Sequence, residues 1–354
     1  MRPIHVVLSI FILQLTGSVY NTAYADDGAR LYTTREEKRE AGIKHEIFPW
    51  LVASGLAEFQ WQWQRFALDN KDRYDYIDDT AASIQANFFI SPVDWIKSEI
   101  ITEYDTNTDE LIVDEAELAF EYGPWELAFG KLYLPFGQYI SHFANGPITE
   151  FGETRANSVS LAYNYLDDVD ISFAVYRSNA HEIGSSNRID WSAGIEAWPS
   201  DDVSVGISYL SDLADSEQGL LRAHHNRYMN KVPAISGYLL WVAKEYEFVL
   251  EFLGALESFD ELKSDRDQPM AVNLEFTHYM TSRMDWTIRI EGSQEIEDMP
   301  ELQLGIAVNY RIINNVFLTV EGLHGFFSDS LAKDGSDNDY KSVTTFGALL
   351  SVGF

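Results

Sequence analysis

Few residues in this chain stand where covalent chemistry needs them. Ser141 and His142 set a hydroxyl beside an imidazole. Neighbours on an extended chain point to opposite sides, and no acid is placed to orient the imidazole, so a nucleophile–base pair is not expected. His224 and His225 adjoin but lack a carboxylate at ligand spacing, which is a poor metal signal. The sequence has no cysteine, which removes disulfides, thiolate metal sites and a thiol nucleophile. The expectation is no enzyme, no metal and no cofactor.

Charge is the chemistry that remains. Glu115 and Glu117 lie opposite Ala116, Leu118, Phe120 and Tyr122. Glu247 and Glu251 oppose Phe248, Leu250 and Phe252. Asp285, Thr287, Arg289 and Glu291 oppose Trp286, Ile288 and Ile290. With Glu58, Glu99, Glu275 and Glu321, these form a polar face set mainly against Lys97, Arg289 and Arg311. A period of two with one apolar face is strand patterning, and a row of carboxylates on a pore wall favours cations. Some of these charges could instead solvate the wall or pair with each other.

The elements that carry these faces are about ten residues long, the length of a membrane barrel strand. About sixteen such runs are present, near 51–66, 80–90, 93–105, 111–122, 125–134, 156–166, 169–178, 189–198, 202–210, 234–244, 246–257, 269–279, 283–293, 301–311, 315–326 and 341–354. Turns after even runs are short, as at Ser91-Pro92, Gly123-Pro124 and Lys244-Glu245. Connections after odd runs include Ala67 to Asp79, Pro135 to Arg155, Asn179 to Arg188, Ser211 to Pro233, Ser258 to Gln268 and Phe327 to Tyr340, all long. Both ends of a barrel with an even strand number lie on the short-turn side, expected to be periplasmic.

The ends and the composition agree. Arg2, the apolar run Val6 to Leu15 and Ala23-Tyr24-Ala25 have the layout of a cleaved signal peptide over 1–25. Residues 26–50 are expected to be a periplasmic extension with a short helix, begun by the capping box Thr34-Arg35-Glu36-Glu37. The barrel follows over 51–354. The formal charge of −31 argues against a nucleic-acid partner. Hydrophobic content of 46% argues against disorder. The last strand ends on Phe354. An export signal with such a terminal strand resembles bacterial outer-membrane β-barrels, whose assembly machinery recognises that strand. The fold class is therefore all-β: a transmembrane antiparallel β-barrel with a short helical N-terminal extension. Trp50, Trp95, Trp125, Tyr163 and Trp198 near strand ends fit interfacial anchors among outer-membrane lipids and lipopolysaccharide.

Loop 3, residues 135–155, stands apart. It opens on Pro135-Phe136-Gly137, where Pro removes a ladder donor and Gly permits a sharp departure. Yet it holds Phe136, Tyr139, Ile140, Phe143, Ile148 and Phe151, too much apolar surface to stand in water. It is expected to fold onto the inside wall. Lys131 is costly on a lipid face. If it points inward, so do Leu127, Phe129 and Tyr133, giving loop 3 an apolar wall. Ala128 and Gly130 would then face out, towards a neighbouring copy in a homo-oligomer. Lys131, Pro135, Phe136, Gly137, His142, Glu150, Glu153 and Arg155 are the candidate constriction residues, and Glu115, Glu117, Glu251 and Arg289 the candidate wall residues. Anchoring loop 3 to the wall is the other role open to Glu150, Glu153 and Arg155. Loop 5 carries Arg222, His224, His225, Arg227 and Lys231, a basic patch that suits either an anionic ligand, lipopolysaccharide phosphates or plain solvation.

The run Ile47 to Glu58, with Glu36 to Gly42 before it, and the runs Phe129 to Gly137 and Pro147 to Thr154 together are similar to the LbtU family of siderophore porins, named for the legiobactin receptor. The resemblance spans the chain after the signal, with its specific motifs in these two regions. It implies uptake of ferric siderophore as the small solute, through a barrel without a plug domain. The alternatives are a general or cation-selective diffusion porin and, from another class, an outer-membrane hydrolase. Shortening Tyr139 to Thr149 is expected to raise single-channel conductance more than an equal deletion in loop 5. Equal changes would strip loop 3 of its special place.

Overall fold

The computed structural model describes residues 35–68, 74–165, 168–178, 180–182, 188–217, 220–221, 225–262, 266–327, 332 and 339–354. The expected signal peptide, residues 26–34 of the extension, Arg222 and His224 lie outside the described residues. Helix α1 spans Arg35–Glu40, and a short strand at His45–Phe48 pairs back on the first barrel strand.

The period-two segments form sixteen barrel strands. They are β1 (Leu51–Leu68), β2 (Tyr74–Val93), β3 (Ile96–Asp105), β4 (Glu110–Tyr122), β5 (Trp125–Tyr133), β6 (Arg155–Tyr165), β7 (Val169–Arg177) and β8 (Ile189–Ser200). The second half comprises β9 (Val203–Leu210), β10 (Ala234–Ala243), β11 (Tyr246–Ala255), β12 (Met270–Thr281), β13 (Met284–Gln294), β14 (Leu302–Ile313), β15 (Val316–Phe326) and β16 (Tyr340–Gly353). Each pairs antiparallel with its neighbour, and β16 returns to β1 with Gly353 opposite Leu56. Closure leaves no sheet edge. Phe354 completes the seam. Its N–H donates to the Gly55 carbonyl at 2.9 Å, and its ring lies where a Cβ on Gly55 would come within 2.6 Å.

Burial is inverted relative to a water-soluble fold. On β13, Asp285, Thr287, Arg289 and Glu291 are 0% exposed, while Ile288 and Ile290 are 43% and 45% exposed. Polar side chains face in and aliphatic ones face out, the polarity of a barrel whose solvent is lipid. Trp50, Trp95, Tyr122, Trp125 and Tyr165 are exposed at the short-turn end, where amphipathic rings suit a membrane interface. Among the described residues no helix is long and apolar enough to cross a membrane.

Three local expectations change. The turn placed at Ser91-Pro92 lies instead at 94–95, because β2 runs on to Val93. Pro92 sits in a register irregularity between Ile90 and Val93, where its missing N–H breaks no ladder bond. The long loop expected from Ala67 to Asp79 is mostly strand. Arg65 stacks on the Tyr74 ring at 3.8 Å and Trp63 packs on Tyr76 at 6.1 Å, and these cross-strand pairs carry the hairpin outward.

The third change concerns β5. Ala128 and Leu132 are buried, while Phe129 is 37% exposed and meets Phe120 edge-on at 6.2 Å. Lys131 shares the outer face with Phe129, and its Nζ donates to the Val113 carbonyl at 2.7 Å. Lys131 is thus not a constriction residue, and Leu127, Phe129 and Tyr133 give loop 3 no wall. It lies two residues from the end of β5, so its stem carries the amine to the rim rather than leaving it at mid-strand depth.

An Ile288→Arg substitution tests the inverted burial. It is expected to cost about 2–4 kcal/mol in unfolding from lipid vesicles. A cost under about 0.5 kcal/mol, usual for an exposed site in water, would refute a lipid-facing wall.

Candidate functional site

Loop 3 leaves β5 through a turn that only these residues make easily. Gly137 has φ +76°, and a Cβ there would come within 2.3 Å of the Tyr139 ring. Tyr139 folds back so that its hydroxyl donates to the Phe136 carbonyl at 2.9 Å. Pro135 precedes, and Phe136 drops into the barrel at 2% exposed. Phe136, Ile148 and Phe151 join one apolar cluster with Leu210, Leu213, Leu253 and Phe259. Phe143 packs separately on Ala307 and Leu323. Loop 3 therefore lies on the inner wall, as its composition demands, but against β9 to β15 rather than β5.

An extended loop crossing a barrel carries backbone N–H groups with no ladder partner. The wall glutamates take them. Glu251 accepts from the N–H groups of Gln138 at 2.7 Å and Tyr139 at 3.1 Å, and from Thr149 Oγ1 at 3.0 Å. Glu275 accepts from the His142 N–H at 3.0 Å, and Glu321 from the Ala144 N–H at 2.7 Å. Glu291 accepts from the Ile148 N–H at 2.6 Å, and Gly137 donates to Ser208 Oγ at 3.1 Å. Arg289 serves the carbonyls. It donates to Asn145 O at 3.0 Å and Gly146 O at 3.2 Å while its Nε holds Glu275 at 2.8 Å. His142 is buried, with Nε2 2.9 Å from Glu247 and the ring 6.1 Å from Tyr279. The Ser141 hydroxyl is held instead by Arg289 and by the Phe143 N–H at 3.0 Å. Ser141 and His142 thus turn to different partners.

This changes what the acidic wall does. Glu247, Glu251, Glu275 and Glu291 are each 0% exposed and Glu321 is 3% exposed. They were expected to line open water, but loop 3 covers them. Glu251 and Arg289 are wall residues that hold the loop rather than charges seen by a solute. Glu115 and Glu117 lie on the inner face of β4 and stay half-exposed.

Open acidity gathers at the mouth. A cavity of about 460 Å³ is lined by Glu150, Glu153, Glu217 and Asp298, with Gln62 and Gln64 on the facing wall. No lysine or arginine lines it among the described residues. Burial, then Glu150 and Glu217, push the Glu153 carboxyl up to about 8, against the pull of Arg155. Arg155 is held between Asp114 and Glu217, the latter at 2.8 Å, with the Tyr133 ring 5.1 Å away. It anchors the loop's end rather than standing free in the opening. Asn145 reaches across the lumen to accept from Gln60 Nε2 at 3.3 Å. Glu217, Asp298 and Asn145 were not foreseen, since no local pattern separates them from ordinary loop residues.

The other end of the lumen has its own occupant. From α1, Arg35 binds Glu58 at 2.7 Å and Glu103 at 2.8 Å. Lys38 lies 3.9 Å from Glu58 and Arg39 3.9 Å from Glu99. Arg39 also donates to Gln85 at 3.0 Å. Lys38 and Arg39 are buried. The helix expected in the extension therefore lies against the inner wall of β1 to β3, where its cations meet the glutamates there.

No family model matches the chain. A UPF0422 protein of Coxiella burnetii (strain RSA 493 / Nine Mile phase I) is 25% identical over 267 residues, 68% of this chain and 56% of that protein. The match thus spans about half the length of the curated relative. Among solved structures, the anion-selective porin from Comamonas acidovorans aligns with a TM-score of 0.63 at 9% identity, covering 86% of this chain and 99% of the porin. The outer-membrane channel DcaP of Acinetobacter baumannii aligns at 0.59 and 14% identity, covering 88% and 99%. These likenesses show that the barrel has the porin fold.

The latch can be tested at Glu251. Glu251→Leu keeps bulk but strands two N–H groups and a hydroxyl, a loss of roughly 3 kcal/mol or more. The expected outcome is a lower unfolding temperature and higher single-channel conductance. Glu251→Gln, which keeps an acceptor, is expected to lie between wild type and Leu. An unchanged conductance in the Leu variant would show that this carboxylate does not hold the loop.

Proposed function

We propose that this chain is an outer-membrane diffusion porin that favours small cations, with both barrel ends on the periplasmic side and no covalent chemistry. The porin fold, the inverted burial and the short-turn end that carries Leu51 and Gly353 support the setting. The observation that carries the charge preference is the mouth cavity, whose ionisable lining residues, Glu150, Glu153, Glu217 and Asp298, are all acidic. Fixed charge of one sign beside a narrow aqueous path raises the local concentration of the opposite ion. The covered glutamates add little, because loop 3 and Arg289 already hold them. At the far end α1 offsets Glu58, Glu99 and Glu103. Selection by charge is therefore assigned to the loop 3 half of the lumen.

Ferric-siderophore uptake is the narrower reading. It rests on the resemblance of the runs around Glu36 to Glu58 and Phe129 to Thr154, and the acidic mouth suits a neutral or cationic complex better than an anionic carboxylate one. Block of the channel by a ferric siderophore would favour it. A conductance indifferent to every siderophore favours the plain porin.

The test is the reversal potential in planar bilayers under a salt gradient. Potassium is expected to be preferred over chloride, and a chloride preference would overturn the reading. Below about pH 8 Glu153 is largely protonated and neutral, and above it charged. Cation preference is therefore expected to rise between pH 6 and pH 9, and Glu153→Gln is expected to flatten the rise. Removing residues 26–42 is expected to raise conductance and cation preference together, because Glu58, Glu99 and Glu103 lose their cations. No change after that deletion would show that α1 leaves the current path clear.

A further inference from the structure

The outward wall of β6 to β8 carries cations at its long-loop rim and no acid. The outward residues of β7 end on Val175 and Arg177, which lie opposite Trp191 and Ile189 of β8. Arg188 precedes Ile189. Both arginines are exposed. Neither makes an ion pair or a side-chain hydrogen bond among the described residues. Lys131 stands at the same rim on β5, opposite Asn157 of β6. Among the described residues no carboxylate lies on the outward face of β6 to β8. Asp190, between Ile189 and Trp191, points inward, is 1% exposed and is held by Lys231. A chain with 56 acidic and 25 basic residues does not leave such a sector by composition alone.

The two arginines line a groove of about 670 Å³ on this face. Val159, Val175 and Ile189 also line it and are 45%, 38% and 62% exposed. Asn157 adds an amide. An aromatic belt lies one outward position further from the rim. There Trp191 stacks on Tyr209 at 4.8 Å and packs on Phe173 at 5.9 Å. Such rings mark the edge of the apolar layer, so the groove runs from acyl-chain depth to headgroup level.

A guanidinium at headgroup level meets a phosphate through two parallel hydrogen bonds. Apolar side chains below a cationic rim suit a ligand of the same order, with an anionic head above an acyl chain. With the long loops outward, the lipid of that leaflet is lipopolysaccharide, whose lipid A carries phosphates on an acylated disaccharide. We propose that Arg177 and Arg188 bind a phosphate of lipid A, with an acyl chain seated along Val159, Val175 and Ile189. This rests on the outer-membrane setting proposed above. The site is on the outside of the barrel, apart from the solute path.

The test is native mass spectrometry of the full chain in detergent. Bisphosphorylated lipid A is added in one arm and the same lipid stripped of both phosphates in another. The phosphorylated lipid is expected to stay bound about tenfold better. The double variant Arg177→Gln, Arg188→Gln is expected to lower its retention by about tenfold. Arg283→Gln, in the short turn between β12 and β13, is expected to leave it unchanged. The double variant is expected to conduct like wild type in planar bilayers, which also shows that it folds. If it does not fold, Arg188→Gln alone, outside the strands, is expected to fold and to lower retention by about threefold. Equal retention of the two lipids, or equal retention by the double variant and Arg283→Gln, would overturn the site. So would equal retention of phosphatidylglycerol, which would make the groove a surface for any anionic lipid. A wild-type barrel that conducts but keeps no lipid A would sink the site and leave the porin reading standing. One that keeps lipid A without conducting would sink the porin reading alone.

Discussion

The structure depends on one pairing: a row of wall carboxylates buried in the barrel and a stretch of backbone that has no strand to pair with. Glu251, Glu275, Glu291 and Glu321 project inward from four strands. Left bare in a narrow lumen they would repel one another. Residues 137–149 of loop 3 carry N–H groups that a ladder would otherwise satisfy. Each set removes the other's cost, and hydrogen bonds to ionised acceptors are the stronger kind. Arg289 offsets part of this charge by holding Glu275 and two loop carbonyls together.

The same economy of charge recurs at three places with different outcomes. Under loop 3 the wall carboxylates are consumed by backbone donors. At the short-turn end Arg35, Lys38 and Arg39 of α1 lie on Glu58, Glu99 and Glu103. At the mouth Glu150, Glu153, Glu217 and Asp298 face an open cavity together. A chain with formal charge −31 therefore presents a solute with far fewer charges than its composition implies. Which glutamates remain open is set by where loop 3 and α1 lie rather than by how many the chain carries.

The outward face is simpler, because lipid asks only for apolar side chains and satisfied backbone. Ile288, Ile290, Leu250 and Phe252 meet that demand by position alone. Lys131 meets it by lying near a strand end, where a long stem lets a charge leave the apolar layer. In the sequence that single residue argues for the opposite facing of β5, yet Ala128 is buried on the inner face.

By itself the sequence determined the sixteen strands, their facing in β11 and β13, the terminal strand ending on Phe354 and loop 3 as the segment that folds inward. These follow from a period of two and from apolar content, both of which are local. It determined Gly137 as a turn as well, since only one residue type takes that backbone easily. The tertiary structure decided the fate of each charge. Glu251 and Glu117 have the same pattern in the chain, yet one lies under loop 3 and the other on open wall. Burial and charge pairing are set by what arrives from elsewhere in the chain, and no local spacing records that.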